Sequence, residues 1–386
     1  MRIHIPSLPH TEVNSEYNAC AYTQKVRKFC NMMTSLGHEV FLYAGENSDP
    51  ATAESITIAT EADRERWFGK YDHTKILPPL SWNATDIHWV EFNTRVIREI
   101  EARIQPLDII GIIGGTCQEQ IAKAFSNKQN PIIEWGIGYD GIFADFKVFE
   151  SYAHMHTLYG RLRIEDGKFY DCVIPNFFNI SEFALGDLIE NRPIPLTYLG
   201  RFIKRKGIEI AVAVAEKLDV ELTVAGQGCR QYGNTFSGPD FSVTSDHINY
   251  IGHVSIDDRK ELLSSSQCLI VPTLYIEPFG GVAVEAMLSG TPVVASDFGA
   301  FTETVEQGIN GYRFRTIGEA AYGVQQSKNL DRLEIFSNAR QKYDMNVIKH
   351  QYNDYFEQVL GLYYNRKDER YNDFYGNWHG STTRYN

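Results

Sequence analysis

The chain has 386 residues, enough for two domains of ordinary size with full cores. With 43% apolar and 22% charged residues it reads as globular, which excludes a disordered or fibrous chain. A net charge of −12 argues against nucleic acid phosphate as the main partner, and no uncharged apolar run approaches a membrane span.

Met1-Arg-Ile-His-Ile-Pro6 reads as a first strand and not as a signal peptide. Further strands are expected at Val40–Tyr43, Ile109–Ile113, Pro131–Glu134 and Cys172–Ile174, and helices at Tyr17–Leu36, Ile87–Arg103 and Glu119–Phe125. Gly37 is placed to end the first helix. Glu46 to Ser81 has weak periodicity and is expected to be a small irregular insert. Asn191-Arg-Pro-Ile-Pro195 suits a linker between domains. Beyond it, strands are expected at Leu196–Leu199, Glu221–Ala225, Asn249–Ile251, Cys268–Pro272, Pro292–Ala295 and Gly311–Phe314. Helices are expected at Gly207–Leu218, Asp257–Ser266, Val282–Ser289 and Ala300–Gln307, then from Arg332 to Tyr364. The polar, aromatic tail from Tyr363 to Asn386 either docks on the first domain or frays. The strand–helix rhythm predicts α/β architecture with two Rossmann-like domains, residues 1–190 and residues 191–354, the first rejoined by 355–386. The six cysteines (Cys20, Cys30, Cys117, Cys172, Cys229, Cys268) form no Cys-x-x-Cys pair and read as reduced core thiols of a cytoplasmic protein, soluble or peripheral to a membrane.

The densest signal is Tyr275-Ile-Glu-Pro-Phe-Gly-Gly-Val-Ala-Val-Glu285. It joins a short apolar strand to a helix through a Phe-Gly-Gly step and carries two carboxylates, Glu277 and Glu285. Phe279, Gly280 and Gly281 open the helix, where backbone approaches a ligand closely and N–H groups face an anion. Carboxylates on either side of such a site suit hydroxyls flanking a diphosphate, which is the chemistry of a nucleotide sugar. The same residues also suit a plain buried strand and crossover helix. Gly200-Arg201 and Lys204-Arg-Lys-Gly207 put four cations on one strand-to-helix loop, fitted to phosphate oxygens. Ala225-Gly-Gln-Gly228 brings Gly226 to a third such loop, a wall for the nucleoside, and Gly252-His-Val254 offers backbone groups to the base. No Asp-x-Asp occurs, so metal is expected to play no part and no cofactor is expected; Arg201, Lys206 and the helix start would neutralise the departing diphosphate.

Together these motifs resemble the retaining GT-B glycosyltransferases of the glycogen-synthase-like and sucrose-synthase-like group (glycosyl transferases group 1). The resemblance continues through Tyr250-Ile-Gly-His-Val254, Val271-Pro-Thr273, Glu285-Ala-Met287, Gly290-Thr-Pro-Val-Val294, Gly299 to Glu303 and Gly308 to Gly311, and upstream through Val173-Ile-Pro-Asn176 and Phe183. It implies a GT-B fold, two domains facing across a cleft with the last helix crossing back. It implies retaining transfer from a UDP- or GDP-linked sugar to a hydroxyl of a glycan, a lipid-linked or a small acceptor. Arg201 and Lys206 would hold the diphosphate, Glu277 the donor sugar and Glu285 the ribose, with backbone groups from Phe279, Gly280 and Gly281. Where relatives carry a histidine, Glu134 stands, either near the reacting sugar or as a structural carboxylate. The first loop, Pro6 to Glu16, lacks the family's glycines, which leaves His10, Asn14 and Ser15 to meet acceptor or donor by side chain. His154 and His156 read as positions on a surface helix. Lys25, Arg27 and Lys28 read as solvated surface. Two other functions fit the same fold: glycosylation of a hydroxylated base in DNA, which the acidic balance disfavours, and a non-catalytic nucleotide-sugar-binding subunit.

Overall fold

The computed structural model describes residues 1–365 apart from 74–76, 79, 127, 169 and 189–191. The expectation for the tail beyond 365 and for Asn191 therefore lies outside the described residues. Contacts divide the chain into two compact units. The first is Met1–Glu150, Met155–Pro175 and the chain from Met345 onward; the second is Ser151–His154 and Asn176–Asp344.

In the first unit a parallel seven-stranded sheet runs β1 (Arg2–Pro6), β2 (Glu39–Gly45), β3 (Glu54–Ala59), β4 (Ile109–Ile112), β5 (Ile132–Ile137), β6 (Phe146–Phe149) and β7 (Cys172–Val173) along the chain, in spatial order 3-2-1-4-5-6-7. Its helices are α1 (Ala21–Ser35), α2 (Glu61–Phe68), α3 (Ile87–Glu101), α4 (Glu119–Phe125) and α5 (Tyr152–Leu162), whose first residues are counted with the second unit. The second unit carries β8 (Leu196–Leu199), α6 (Ile208–Leu218), β9 (Leu222–Ala225), a small antiparallel sheet of β10 (Arg230–Tyr232), β11 (Thr235–Ser237) and β12 (Ser242–Thr244), then β13 (Ile248–Gly252), α7 (Ile256–Ser265), β14 (Leu269–Val271), α8 (Gly281–Met287), β15 (Val293–Ser296), α9 (Phe301–Thr304), β16 (Gly311–Phe314), α10 (Ile317–Gln326) and α11 (Arg332–Tyr343). The parallel strands stand in order 13-9-8-14-15-16, so both large sheets reverse direction beside their first strand. The last described helix, α12 (Met345–Asn365), belongs to the first unit and packs on α1.

Strand periodicity explains the double-sided burial. On β14 and β15, Leu269, Val271, Val293 and Ala295 enter one core while Ile270 and Val294 enter another. Both faces are thus covered, as a parallel sheet requires.

Several expectations need correction. The stretch Glu46 to Ser81 is partly regular: within it β3 is an edge strand pairing with β2, and α2 begins at a capping box of Thr60 and Asp63. Ile56 and Ile58 alternate with exposed neighbours over too few residues to stand out. The first helix starts at Ala21, not Tyr17, because Ser15–Tyr17 forms a single 3-10 turn under Asn14. Helix α9 lasts one turn, and Asp344 breaks the final helical stretch in two. Strand β6, helix α10 and the small sheet were not anticipated, whereas α5 is the helix expected around His154 and His156. The sequence sets unit boundaries at 190/191 and 354/355, whereas contacts change at 175/176 and 344/345. Phe178 and Phe183 already pack into the core of the second unit, and Arg192 N–H donates to Gln267, so the prolines mark a loop inside it. Lys25 is not solvated: it is buried against Glu150 and the Gly136 carbonyl. His154 is buried too, while His156 is exposed.

Candidate functional site

The carboxyl ends of β8, β9 and β13 bring three glycine loops together in the second unit. Gly200 N–H donates to Ala225 at 3.0 Å, and Gly226 N–H donates to Gly252 at 2.7 Å. Gly226 has φ +143°, and a side chain there would overlap the Gly200 carbonyl, so only glycine lets these segments cross. Tyr250 closes the crossing by donating to the Gly226 carbonyl at 2.8 Å. Val254 follows, half-buried, just ahead of the Ser255 cap of α7.

The cationic loop after β8 folds as a 3-10 turn over Lys204–Lys206. Arg205 lends its carbonyl to Leu274 N–H at 2.8 Å, which ties this loop to the loop after β14. There the Lys206 ammonium donates to both Glu277 oxygens, at 2.9 and 3.2 Å, and to the Tyr275 hydroxyl at 2.9 Å. Tyr275 in turn donates to Glu277 at 2.7 Å. The Arg205 guanidinium lies 4.5 Å over the Tyr275 ring. Burial, reinforced by the neighbouring Glu277, raises the tyrosine's pKa and keeps it a neutral donor. Arg201 is exposed, and its guanidinium has no partner among the described residues.

Glu285 lies beyond Gly280 and Gly281 on α8, half-buried. Arg259 on α7 reaches it at 3.1 Å, contacts Glu182 at 3.5 Å and lies 5.3 Å over the Phe183 ring. Phe279 buries its ring against Phe178 and Tyr343, which fixes the turn ahead of α8. The N–H groups of Phe279, Gly280 and Gly281 find no acceptor among the described residues.

The structure therefore unites Lys206 with Glu277, keeps Arg201 on the same loop, and holds Glu285 in a separate ion pair. Tyr275 and Arg259 escaped the sequence reading. Tyr275 adjoins the motif and was within reach of it, whereas Arg259 carries no local signal and is recruited by the packing of α7 on α8.

Residues 187–320 match the family model described as glycosyl transferases group 1. The second unit carries a glycosyl transferases group 1 domain. Among curated relatives, a phosphatidyl-myo-inositol mannosyltransferase of Mycolicibacterium smegmatis is 29% identical over 209 residues, 49% of this chain and 52% of that protein. A glycogen synthase of Mycobacterium tuberculosis is 33% identical over 124 residues, 31% of this chain and 30% of that protein. The chain thus spans from about a third to half the length of these relatives. Solved structures extend the likeness over both units. A sucrose-phosphate synthase from Thermosynechococcus elongatus superposes with a TM-score of 0.63 at 18% identity, covering 94% of this chain and 99% of that one. An Anabaena protein solved with UDP and glucose gives 0.61 at 15% identity, covering 92% and 99%. The fold is the GT-B fold; the donor-binding candidates and the catalytic candidates Arg201, Lys206 and Glu277 lie within the matched residues, and Glu134 lies outside them.

Glu134 sits in the first unit at β5, fully buried. Its carboxylate accepts from Phe143 N–H and Ala144 N–H, both at 2.8 Å, and from the Tyr139 hydroxyl at 3.2 Å. Burial pushes its pKa up to about 7 against those hydrogen bonds. All three donors come from residues 139 to 144, the loop that follows β5. In the glycine-free first loop, His10 and Asn14 are buried and Ser15 is exposed. Asn14 is held by Glu12 and by the Asn47 carbonyl, leaving Ser15 as the one of the three that faces solvent. No helix among the described residues is long and apolar enough to cross a membrane.

Proposed function

We propose that this chain is a glycosyltransferase that moves a sugar, with retention and without a metal, from a UDP- or GDP-linked donor to a hydroxyl acceptor. The observation that carries the reading is the cluster of Lys206, Tyr275 and Glu277 beside the unpartnered Arg201. A dianionic leaving group would draw Lys206 and Arg201, and Glu277 and Tyr275 would then be free to bind sugar hydroxyls. Glu285, steadied by Arg259, is suited to the ribose. The unused N–H groups at Phe279 to Gly281 add donors for phosphate oxygens. The likeness to an Anabaena protein solved with UDP-glucose supports a nucleotide-sugar donor.

In the proposed step the acceptor hydroxyl attacks the anomeric carbon from the face the diphosphate leaves. The new C–O bond forms as the bond to the phosphate oxygen breaks, and the acceptor's proton passes to that oxygen. No enzymic nucleophile is required. The charge left on the diphosphate falls on Arg201 and Lys206, whose contribution is greatest in the transition state. The test is incubation with UDP-, GDP- and ADP-sugars in EDTA, following donor hydrolysis and the anomeric configuration of the product by NMR. Turnover with retention is expected. No turnover and no nucleotide binding would overturn the reading, and loss of activity in EDTA would overturn metal independence.

A further inference from the structure

The small sheet of β10 to β12 grows out of the Ala225–Gly228 loop, and its inner turn is moulded on the cationic loop. That turn is Gly238-Pro-Asp-Phe241, closed by Gly238 N–H donating to Phe241 at 2.9 Å. Phe241 stacks on Phe202, with ring centroids 5.0 Å apart and planes 20° apart. Phe202 is itself fully buried between Arg201 and the Lys204 turn. Asp240 accepts from Lys204 N–H at 3.1 Å, at the first residue of the 3-10 turn that delivers Lys206 to Glu277. A side chain at Gly238 would overlap the Phe202 carbonyl, so the two segments are in van der Waals contact along their backbones. From behind, Phe202 N–H donates to Gln227 at 2.8 Å. The loop bearing Arg201 and Lys206 is gripped from two sides, and one of the grips is this insertion.

We propose that the 238–241 turn is a brace that positions Arg201 and Lys206 for the diphosphate, with Phe241 and Asp240 as positioning residues. The proposal rests on the glycosyltransferase reading above. Loop residues hold their place only as well as their neighbours fix them, and stacked ring pairs contribute beyond their buried area. Remove the brace and the cations remain but no longer converge.

The experiment measures affinity for UDP, GDP and ADP by calorimetry, using whichever binds the unaltered full chain. Phe241→Ala is expected to weaken that affinity about tenfold and Asp240→Ala about threefold. Phe241→Tyr and Asp240→Asn, which keep the ring and the acceptor, are expected to stay within about twofold of the parent. The same changes are then made in a chain already carrying Arg201→Ala and Lys206→Met. A brace acting through those cations loses its effect there, whereas general damage to the unit would persist in both backgrounds. Undiminished losses in the double-variant background would overturn the proposal, as would parent-like affinity for Phe241→Ala. If the unaltered chain binds none of the three diphosphates, the function reading itself falls and the brace with it; normal binding by the parent with no effect of the variants sinks the brace alone.

Discussion

The two large sheets share one strand order but differ in the loop that follows their central first strand. After β1, the loop's charged side chains pair within the unit, while the Ser7 hydroxyl and His10 Nδ1 are buried without a partner among the described residues. Glu12 pairs with Arg64 and accepts from Asn47 at 2.9 Å, Thr11 bonds Thr23 at 2.6 Å, and burial drives the His10 imidazole down to about 3, leaving it neutral. After β8, the loop leaves groups over: a guanidinium without a partner, an ammonium shared with a glutamate and a tyrosine, and nearby backbone donors without acceptors. A shared strand order thus carries an edge whose charges are paired in one unit and an edge that leaves a guanidinium and backbone donors unpaired in the other. The match to the group 1 family model covers the second edge only.

This contrast can be broken in order of expected effect. Arg64→Met strands the buried Glu12 carboxylate and should cost roughly 4 kcal/mol, seen as a lower melting transition by calorimetry, with nucleotide affinity unchanged. Loss of nucleotide affinity in that folded variant would contradict the separation of roles. Glu134 supplies the next effect, through pH. Its folded pKa of about 7 lies above the ordinary glutamate value of 4.5, so the folded chain keeps a proton that the unfolded chain has lost. The resulting stability is fully present below 4.5 and disappears as pH rises through about 7. Melting profiles of the parent and Glu134→Gln should diverge by roughly 3 kcal/mol across that window, and parallel profiles would refute the assignment.

The second edge answers to kinetics instead of melting. Lys206→Met should lower donor turnover about a hundredfold with a much smaller change in affinity for the intact nucleotide sugar, because the cation acts most on the departing charge. Equal losses in rate and affinity would count against that role. Glu285→Gln has the smallest expected effect, about tenfold weaker donor binding with turnover at saturation retained, measured as a rise in KM.

Much of this was legible before any coordinates. The glycine-flanked motifs of the second unit carry their geometry locally: strand, loop and helix start follow one another within a few residues, and the positions of Lys206, Glu277 and Glu285 come with them. The first unit was less readable. Glu134 discloses only a carboxylate in a strand, and its role depends on N–H groups nine and ten residues later. Lys25 looks like surface on its own helix, yet Glu150 reaches it from far along the chain. The small sheet was hidden for a different reason: its strands are three residues each and polar, with only Phe236 fully enclosed, so alternation has no length over which to register.

The knot of backbone at Gly226 constrains anyone who would redesign these loops. Saturation libraries placed there should return only the parent residue, since any added atom collides with a neighbouring main chain that side-chain repacking cannot move. Useful diversity has to come from Gln227, because Gly228, at φ +94°, is also held to glycine by its backbone.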